Sequence, residues 1–411
     1  MQRNANRIFD KKHIKLFEAF SGIGTQKMAL EILAKELGLE IETVGYSEIN
    51  KFAIKSYKAI HGDHIKNYGN VEHIDELPYS DICTWSFPCQ DISLAGKQRG
   101  MVEGSRSNYG YVFLDLLERT KNKPKVLLME NVKALVSKKF KKDFTTILER
   151  LQEMGYKNYY EVLNAKHYGV PQNRERVFVV SILDDLDYEF PKPFPLENVL
   201  KDYLETEVDE KFYLTAKQLY SAFTTGYAQS SIDRIPLESG IAPTIKALSG
   251  GNLEPKVILE PRIGYALSSM EFSIGGWKEI SPTLLARDYK DPKVILEDTG
   301  VSIDNKFLIN DRILKDGKET GNFIVSDLLG RAYVYNKGRG LYRIRKLTPL
   351  ESWRLMGVDD EDFYKAQAVN SNSQLYKQAG NAIVVDVLYH IFKQMFIWND
   401  KWGRTENENN K

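Results

Sequence analysis

Cysteine is almost missing from this chain, with two in 411 residues. That is too few for a disulfide framework and suits a reducing compartment. Histidine is scarce too, with six copies. His61 and His64 have no matching Cys or His pair at ligand spacing, so both read as solvated surface residues and no metal site is expected. No apolar run is long enough to span a bilayer, and the N-terminus has no stretch resembling a signal peptide. An excess of one charge is lacking as well: 57 basic residues against 56 acidic ones leave a net charge of +1. Strong basicity would have pointed to nucleic acid. Neutrality excludes nothing, because acidic outer helices can balance a basic cleft. With no low-complexity tract and 42% hydrophobic residues, the expectation is a soluble intracellular protein of two domains.

What is present is, first, alternation. Ile14 to Phe20 reads as a strand, Ser21 to Gly24 as a tight turn, and Thr25 to Leu37 as an amphipathic helix. Ile41 to Tyr46 reads as a second strand, ending at Ser47-Glu48, with another helix after it. Later strands are Ile82 to Phe87, Val126 to Met129 and Val177 to Ile182. Strands alternating with helices predict a mainly parallel sheet covered on both faces. After Pro191, Pro193 and Pro195 the texture turns irregular up to about Lys337. A partial repeat lies there, Ile241 to Ile245 returning as Ile280 to Leu284 and Pro255 to Glu260 as Pro292 to Glu297. It reads as a reused turn-plus-strand unit, because two copies are too few for a solenoid. Helix returns at the C-terminus: from Asn381, the positions Val384, Val387, Leu388, Ile391 and Met395 share one face. The tail after Trp402 is polar.

The stretch Asp81 to Gln90 is the most telling. An apolar, aromatic run breaks off at Pro88-Cys89, delivering one thiol to a loop at a strand's C-terminal end, where ligands sit in open α/β sheets. Read alone, Cys89 is either a nucleophile or an inert core thiol. Cys83, inside the same strand, reads as core. Phe20-Ser-Gly-Ile-Gly24 follows a strand and opens a helix, so its glycines let a ligand approach free N–H groups. The third glycine of the dinucleotide pattern is missing, because Lys27 stands there. Glu48 can accept ribose hydroxyls or be a solvated charge. Glu130-Asn131 shares the edge of Cys89 if the strands are parallel, placing a carboxyl group near the thiol. In Gln172-Asn-Arg-Glu-Arg176, the i and i+2 arginines share one face of an extended segment. They could serve one site or pair at the surface.

Taken in order, these motifs resemble the cytosine-C5 DNA methyltransferase family, enzymes related to bacterial restriction-modification methylases. The matching segments are Phe20 to Gly24, Glu48, Phe87-Pro-Cys-Gln90, Glu130-Asn-Val132, Gln172 to Arg176, Arg345-Lys-Leu-Thr-Pro-Leu-Glu351 and Tyr376-Lys-Gln-Ala-Gly-Asn381. Only about residues 190–340 lack strong counterparts. The resemblance implies a Rossmann-like α/β methyltransferase fold with a second, smaller target recognition domain. The catalytic part is expected at residues 1–188 plus 372–411, and the recognition part with its hinge at 189–371.

The resemblance further implies S-adenosylmethionine as cofactor, no metal, and double-stranded DNA as substrate. Cys89 would add to cytosine C6, Glu130 would hydrogen-bond or protonate N3, and Arg176 with Arg174 would hold the ring's O2 and stabilise the thiolate. Cofactor contacts carry over to Phe20, Gly22, Ile23, Gly24, Glu48, Ile49, Pro88, Asn381 and Ile383. One position departs from the pattern. The family usually has an Asp after a Gly to accept the adenine amino group, and this chain reads Gly69-Asn70. An amide oxygen still accepts that bond, so Asn70 is kept as a contact. Asp91 to Met101 looks like a mobile catalytic loop hinged at Gly96 and Gly100. Gln90 and Ser93 would meet the extruded nucleotide, and Lys97 and Arg99 the phosphates. Arg262, Arg287, Lys290, Arg331, Lys337 and Arg339 are candidate DNA contacts of the recognition part. The expected setting is a monomer in the bacterial cytoplasm, off the membrane, with or without a restriction endonuclease acting independently. Two rivals stand beside it: an RNA-cytosine methyltransferase of the same family, and a DNA-binding protein that has lost catalysis.

Overall fold

The computed structural model describes residues 12–89, 92, 101, 106–184, 186–219, 235–246, 255–259, 307–315, 318–327, 331–336 and 340–404. The expectations for Gln90, Ser93, Gly96, Lys97, Arg99 and Gly100 lie outside those residues. So do those for Arg262, Arg287, Lys290, Lys337 and Arg339, and the second copy of the repeat. The chain divides into two compact units. One comprises the described residues of Met1–Asn198, Thr244–Gly251 and Pro349–Lys411, the other those of Val199–Pro243 and Asn252–Thr348. The first unit therefore resumes at Pro349, earlier than the 372 expected from sequence.

The first unit is built on strands whose residues are buried in succession rather than alternately, the mark of a sheet covered on both faces. All four residues of β3 (Ile82–Trp85) and the first six of β4 (Val126–Val132) are buried. With β1 (His13–Ala19), β2 (Glu40–Ser47), β5 (Lys157–Asn164) and β6 (Glu175–Ile182), they form one sheet in the order β2-β1-β3-β4-β6-β5. Neighbours are parallel except at β6, which runs against both β4 and β5. That single reversal matters for the site: the first residues of β6 lie at the edge where β3 and β4 end.

Helix α1 (Thr25–Leu37) starts after the glycine turn and stops at Gly38, which takes the left-handed cap conformation at φ 65°. Helix α2 (Lys51–His61) is capped by Asn50, whose side chain accepts from the N–H groups of Phe52 and Ala53. Helices α3 (Tyr109–Arg119) and α4 (Lys141–Glu153) are tied by Arg150, which pairs with Asp115 at 2.7 Å and Glu118 at 2.8 Å. Beneath α3, Trp85 stacks on Phe113 with ring centres 4.7 Å apart. Burying such a pair stabilises the fold by several kcal/mol, at about 1.5–3 kcal/mol per large side chain.

The C-terminal part adds α5 (Pro349–Arg354), α6 (Asp360–Gln367), α7 (Asn372–Asn381) and α8 (Val385–Arg404). The helix expected from Asn381 onward begins at Val385 as α8, because α7 ends at Asn381 and Ala382 is extended with ψ 157°. Trp353 is wholly buried and donates to the Leu375 carbonyl at 2.9 Å, which fastens α5 to α7. Gln378 and Asn370 both donate to the Phe52 carbonyl, docking this part on α2. Lys393 and Tyr389 of α8 reach Glu36 of α1. Among the described residues no helix is long and apolar enough to cross a membrane.

In the second unit, β7 (Lys256–Leu259), β8 (Phe307–Lys315), β9 (Lys318–Asp327), β10 (Ala332–Asn336) and β11 (Gly340–Lys346) form an antiparallel sheet in the order β8-β9-β10-β11-β7. Its core gathers Leu214, Leu219, Ile258, Ile324, Val334 and Ile344. Arg343 lies over the Tyr213 ring at 3.7 Å and pairs with Glu210.

Candidate active site

Three strand ends meet at one edge of the main sheet. β3 and β4 are parallel with Trp85 beside Met129, so Cys89 and Glu130 leave the sheet on the same side. Reversed β6 begins there, with Arg176 opposite Val132 and Phe178 opposite Glu130. Diagonal positions of an antiparallel pair share a face within reach of long side chains. Arg176 Nε accordingly lies 3.1 Å from Glu130 Oε1.

Charge and burial oppose each other at this edge. Burial pushes the Glu130 carboxyl up from its ordinary range, while Arg176 and Arg174 pull it back. The Cys89 thiol is likewise raised, first by burial and then by Glu130, with Arg176 and Arg174 pulling it down. The resting thiol is therefore protonated near neutral pH. Cys83 is fully buried and its thiol is held up by burial alone in the main, the core role expected of it.

Two side chains that the sequence did not single out for this purpose fix the turn carrying Cys89. Asn131 Nδ2 donates to the Phe87 carbonyl at 3.1 Å, and Ser107 Oγ to the Pro88 carbonyl at 2.9 Å. Arg174 is held by backbone carbonyls. Its guanidinium donates to the carbonyls of Ile245, Gly380 and Ala382 at 2.8, 3.0 and 2.8 Å. Burial and Arg176 lower its pKa to about 9. Arg174 thus anchors the turn bearing Asn381 and Ile383, and Arg176 faces Glu130. Ile383 is buried and lines a small recess with Arg174, Arg176 and Phe178, whereas Asn381 is exposed.

The glycine turn forms a second group at the same edge. Phe20 has φ 58°, a strained value for a side chain of its size, and Gly22 and Gly24 follow at 58° and 82°. A Cβ on Gly22 would meet no protein atom within 4 Å, so the left-handed backbone and not packing favours a glycine there, and the space beside it is open. A Cβ on Gly24 would lie 2.4 Å from His61 Nε2. His61 is no solvated surface residue: its ring packs against Tyr57 and its Nε2 lies 3.0 Å from the Ile23 carbonyl. Burial lowers its pKa to about 3, so the ring is neutral and Nε2–H is the donor. A lone histidine carries no sequence signal for such a contact.

Glu48 accepts from the N–H groups of Gly22 at 3.0 Å, Ile49 at 2.9 Å and Asn50 at 2.7 Å. Burial raises its pKa and those three bonds oppose the rise. A carboxylate offers about four acceptor positions, so about one remains for a ribose hydroxyl. Ile49 beside it is 66% exposed, an apolar platform at the rim. Asn70 joins this rim through Gly69, whose carbonyl accepts from Ser47 Oγ at 2.6 Å. The hydroxyls of Ser21 and Ser86, at the ends of the first and third strands, are buried without a partner. An apolar platform, a carboxylate and unfilled polar positions together fit a nucleoside carrying an amino-acid tail. Among the described residues no group of three or more His, Cys, Asp or Glu could hold a metal ion.

Known proteins place this arrangement. The profile of the family described as C-5 cytosine-specific DNA methylase matches residues 14–397. Type II methyltransferase M2.ScrFI of Lactococcus lactis subsp. cremoris is 33% identical, over 93% of this chain and 99% of that one. Orphan methyltransferase M.SPRI of Bacillus phage SPR is also 33% identical, over 93% and 97%. Among solved structures, the Entamoeba histolytica methyltransferase EhMeth superposes with a TM-score of 0.60 at 17% identity, over 94% of this chain and 99% of that one. The S. pombe Dnmt2 methyltransferase does so at 0.56 and 16%, over 93% and 98%. These likenesses agree on one fold, and the sequence matches are specific: the chain belongs to the C-5 cytosine-specific DNA methylase family and is a DNA cytosine methyltransferase.

Proposed function

We propose that the chain methylates C5 of a cytosine extruded from duplex DNA, through a covalent bond between Cys89 and C6. The observation carrying this reading is the convergence of Cys89, Glu130 and Arg176 on one sheet edge, with the carboxylate and guanidinium paired at 3.1 Å. S-adenosylmethionine, held by the Phe20–Gly24 turn, Glu48, Ile49 and Asn70, would supply an electrophilic methyl group.

Cytosine C5 is a feeble nucleophile, and C6 is electron-poor. Cys89 loses its proton to solvent and its sulfur adds to C6, placing an electron pair on the ring. Glu130, whose pKa burial raises, donates a proton to N3 and neutralises the charge that forms there. Arg176 holds Glu130 in place and offers its remaining N–H groups to the ring oxygen. C5 would then bond to the methyl group supplied by S-adenosylmethionine, whose sulfur would keep the electron pair of the broken S–CH3 bond and leave as the neutral thioether S-adenosylhomocysteine. Loss of the C5 proton to solvent and departure of Cys89 restore the aromatic ring. A stacked base cannot be approached from both faces, so extrusion is required, at about a few kcal/mol.

The second unit, with the segments between its described strands, is the proposed recognition region for base edges in the major groove. The relatives include a type II enzyme and an orphan enzyme. Either setting suits a monomer that needs no endonuclease for its own chemistry. Duplex oligonucleotides with 5-fluorocytosine at the target position provide the test. Fluorine cannot leave as a proton does, so a covalent complex should accumulate and map to Cys89 by peptide mass spectrometry. No adduct on the cognate sequence, with cofactor present, would refute the chemistry.

A further inference from the structure

We propose that Glu72 sets the amide of Asn70 so that oxygen, and not nitrogen, is presented to the adenine amino group of the methyl donor; this rests on the cofactor reading given above. The Asn70 side chain is pinned at both ends. Its Oδ1 accepts the Glu72 N–H at 3.2 Å, and its Nδ2 donates to Glu72 Oε2 at 2.7 Å. Tyr109 donates its hydroxyl to the same carboxylate oxygen at 3.1 Å, which fixes Glu72 in turn. An ionised carboxylate can only accept and a backbone N–H can only donate, so a single amide orientation satisfies both bonds. Turning the amide over would set oxygen against oxygen.

The location gives this orientation its use. Ser47 holds the Gly69 carbonyl, and Asn67 brackets Glu48, accepting from its N–H at 3.2 Å and donating to its carbonyl at 3.0 Å. The Tyr109 ring lies edge-on to Phe20 at 6.4 Å. Asn70 therefore belongs to the rim shared by Phe20 and Glu48, and its oxygen keeps a second lone pair for a donor on the ligand. The same geometry explains why an amide stands here. A carboxylate at position 70 would put a negative oxygen where Nδ2 now sits, 2.7 Å from Glu72 Oε2. The carboxylate of this corner stands at residue 72 and not at residue 70, and Glu72 acts on the ligand through Asn70 as a positioning residue.

Titration calorimetry with S-adenosylhomocysteine and with its inosine analogue, which carries a 6-oxo group in place of the amine, separates orientation from mere stability. Wild type should prefer the adenine compound by about tenfold, the scale of one hydrogen bond. Glu72→Ala should erase most of that preference. Asn70→Asp should weaken adenine binding by about tenfold in the Glu72 background. In the double variant Asn70→Asp/Glu72→Gln a donor again faces the acid, and binding should return to near the wild-type value. Asn70→Asp binding as tightly as wild type, or Glu72→Ala keeping the full preference, would overturn the proposal alone. A wild-type protein binding neither compound would overturn the cofactor reading as well.

Discussion

Arg176 and Glu130 meet across a strand diagonal, Nε to Oε1 at 3.1 Å, and the guanidinium draws down the carboxyl pKa that burial raises. The proposed mechanism needs Glu130 protonated and Cys89 ionised, and burial raises both groups. The pH profile of kcat/KM should therefore be a bell, with its lower limb set by Glu130 and its upper limb by Cys89. Removing the guanidinium with Arg176→Gln removes a lowering influence on both groups, so both limbs should move to higher pH. The rate at the optimum should fall about 10²–10⁴-fold. A slower enzyme with unmoved limbs would contradict the pairing.

Arg174 and Arg176 should fail in different ways. Arg174→Lys leaves one ammonium to serve three carbonyls, and about 3 kcal/mol of stability should go with the lost bonds. Its thermal midpoint should drop, and its activity should recover on cooling. Arg176→Lys should keep the thermal midpoint and lose activity at every temperature. Paired melting curves and methyl-transfer assays make the comparison.

The glycines of the turn separate ligand clearance from packing. Gly22→Ala has open space for its methyl group and should cost about 1–2 kcal/mol for its left-handed backbone. It should fold and yet lose S-adenosylhomocysteine binding. Gly24→Ala would drive a methyl group into His61 and Tyr57 and should destabilise the protein by about 3 kcal/mol or more. Calorimetric binding set beside a denaturant melt distinguishes them.

Glu18 makes stability depend on pH. It is fully buried, accepts from Tyr57 at 2.6 Å and from the Lys27 N–H, and burial raises its pKa from 4.5 to about 7. The folded state thus binds a proton that the unfolded chain releases. The stabilisation is complete below the unfolded value of 4.5 and is lost as pH rises through about 7. The raised pKa is worth about 3 kcal/mol. Glu18→Gln, which keeps both partners, should become more stable relative to wild type between about pH 5 and about pH 8. Parallel pH dependences for the two proteins would rule this out.

The sequence made the sheet and the thiol legible for a local reason. Ile82 to Cys89 carries its strand, its break and its nucleophile within one short run. Glu130 and Arg176 were placed with it because strand ends are readable from apolar runs. His61 was not, since its partner is the Ile23 carbonyl, and a carbonyl has no signature in sequence. Arg174 was rightly put on the face of Arg176, but its acceptors at Ile245, Gly380 and Ala382 are brought in by tertiary folding alone. The return at Pro349 was missed because α5 is short and its Trp353 declares itself only against Leu375.

Ser56 finds its partner Gln378 after 322 intervening steps along the chain. Glu36 likewise waits for Lys393. During synthesis, the first four strands and their catalytic groups emerge long before the helices that clamp α1 and α2. A nascent chain stopped short of Pro349 lacks α5 to α8, and with them two of the three carbonyls that seat Arg174. The order of the elements thus acts as a timer: the proposed catalytic groups come out early, and the support they need arrives last.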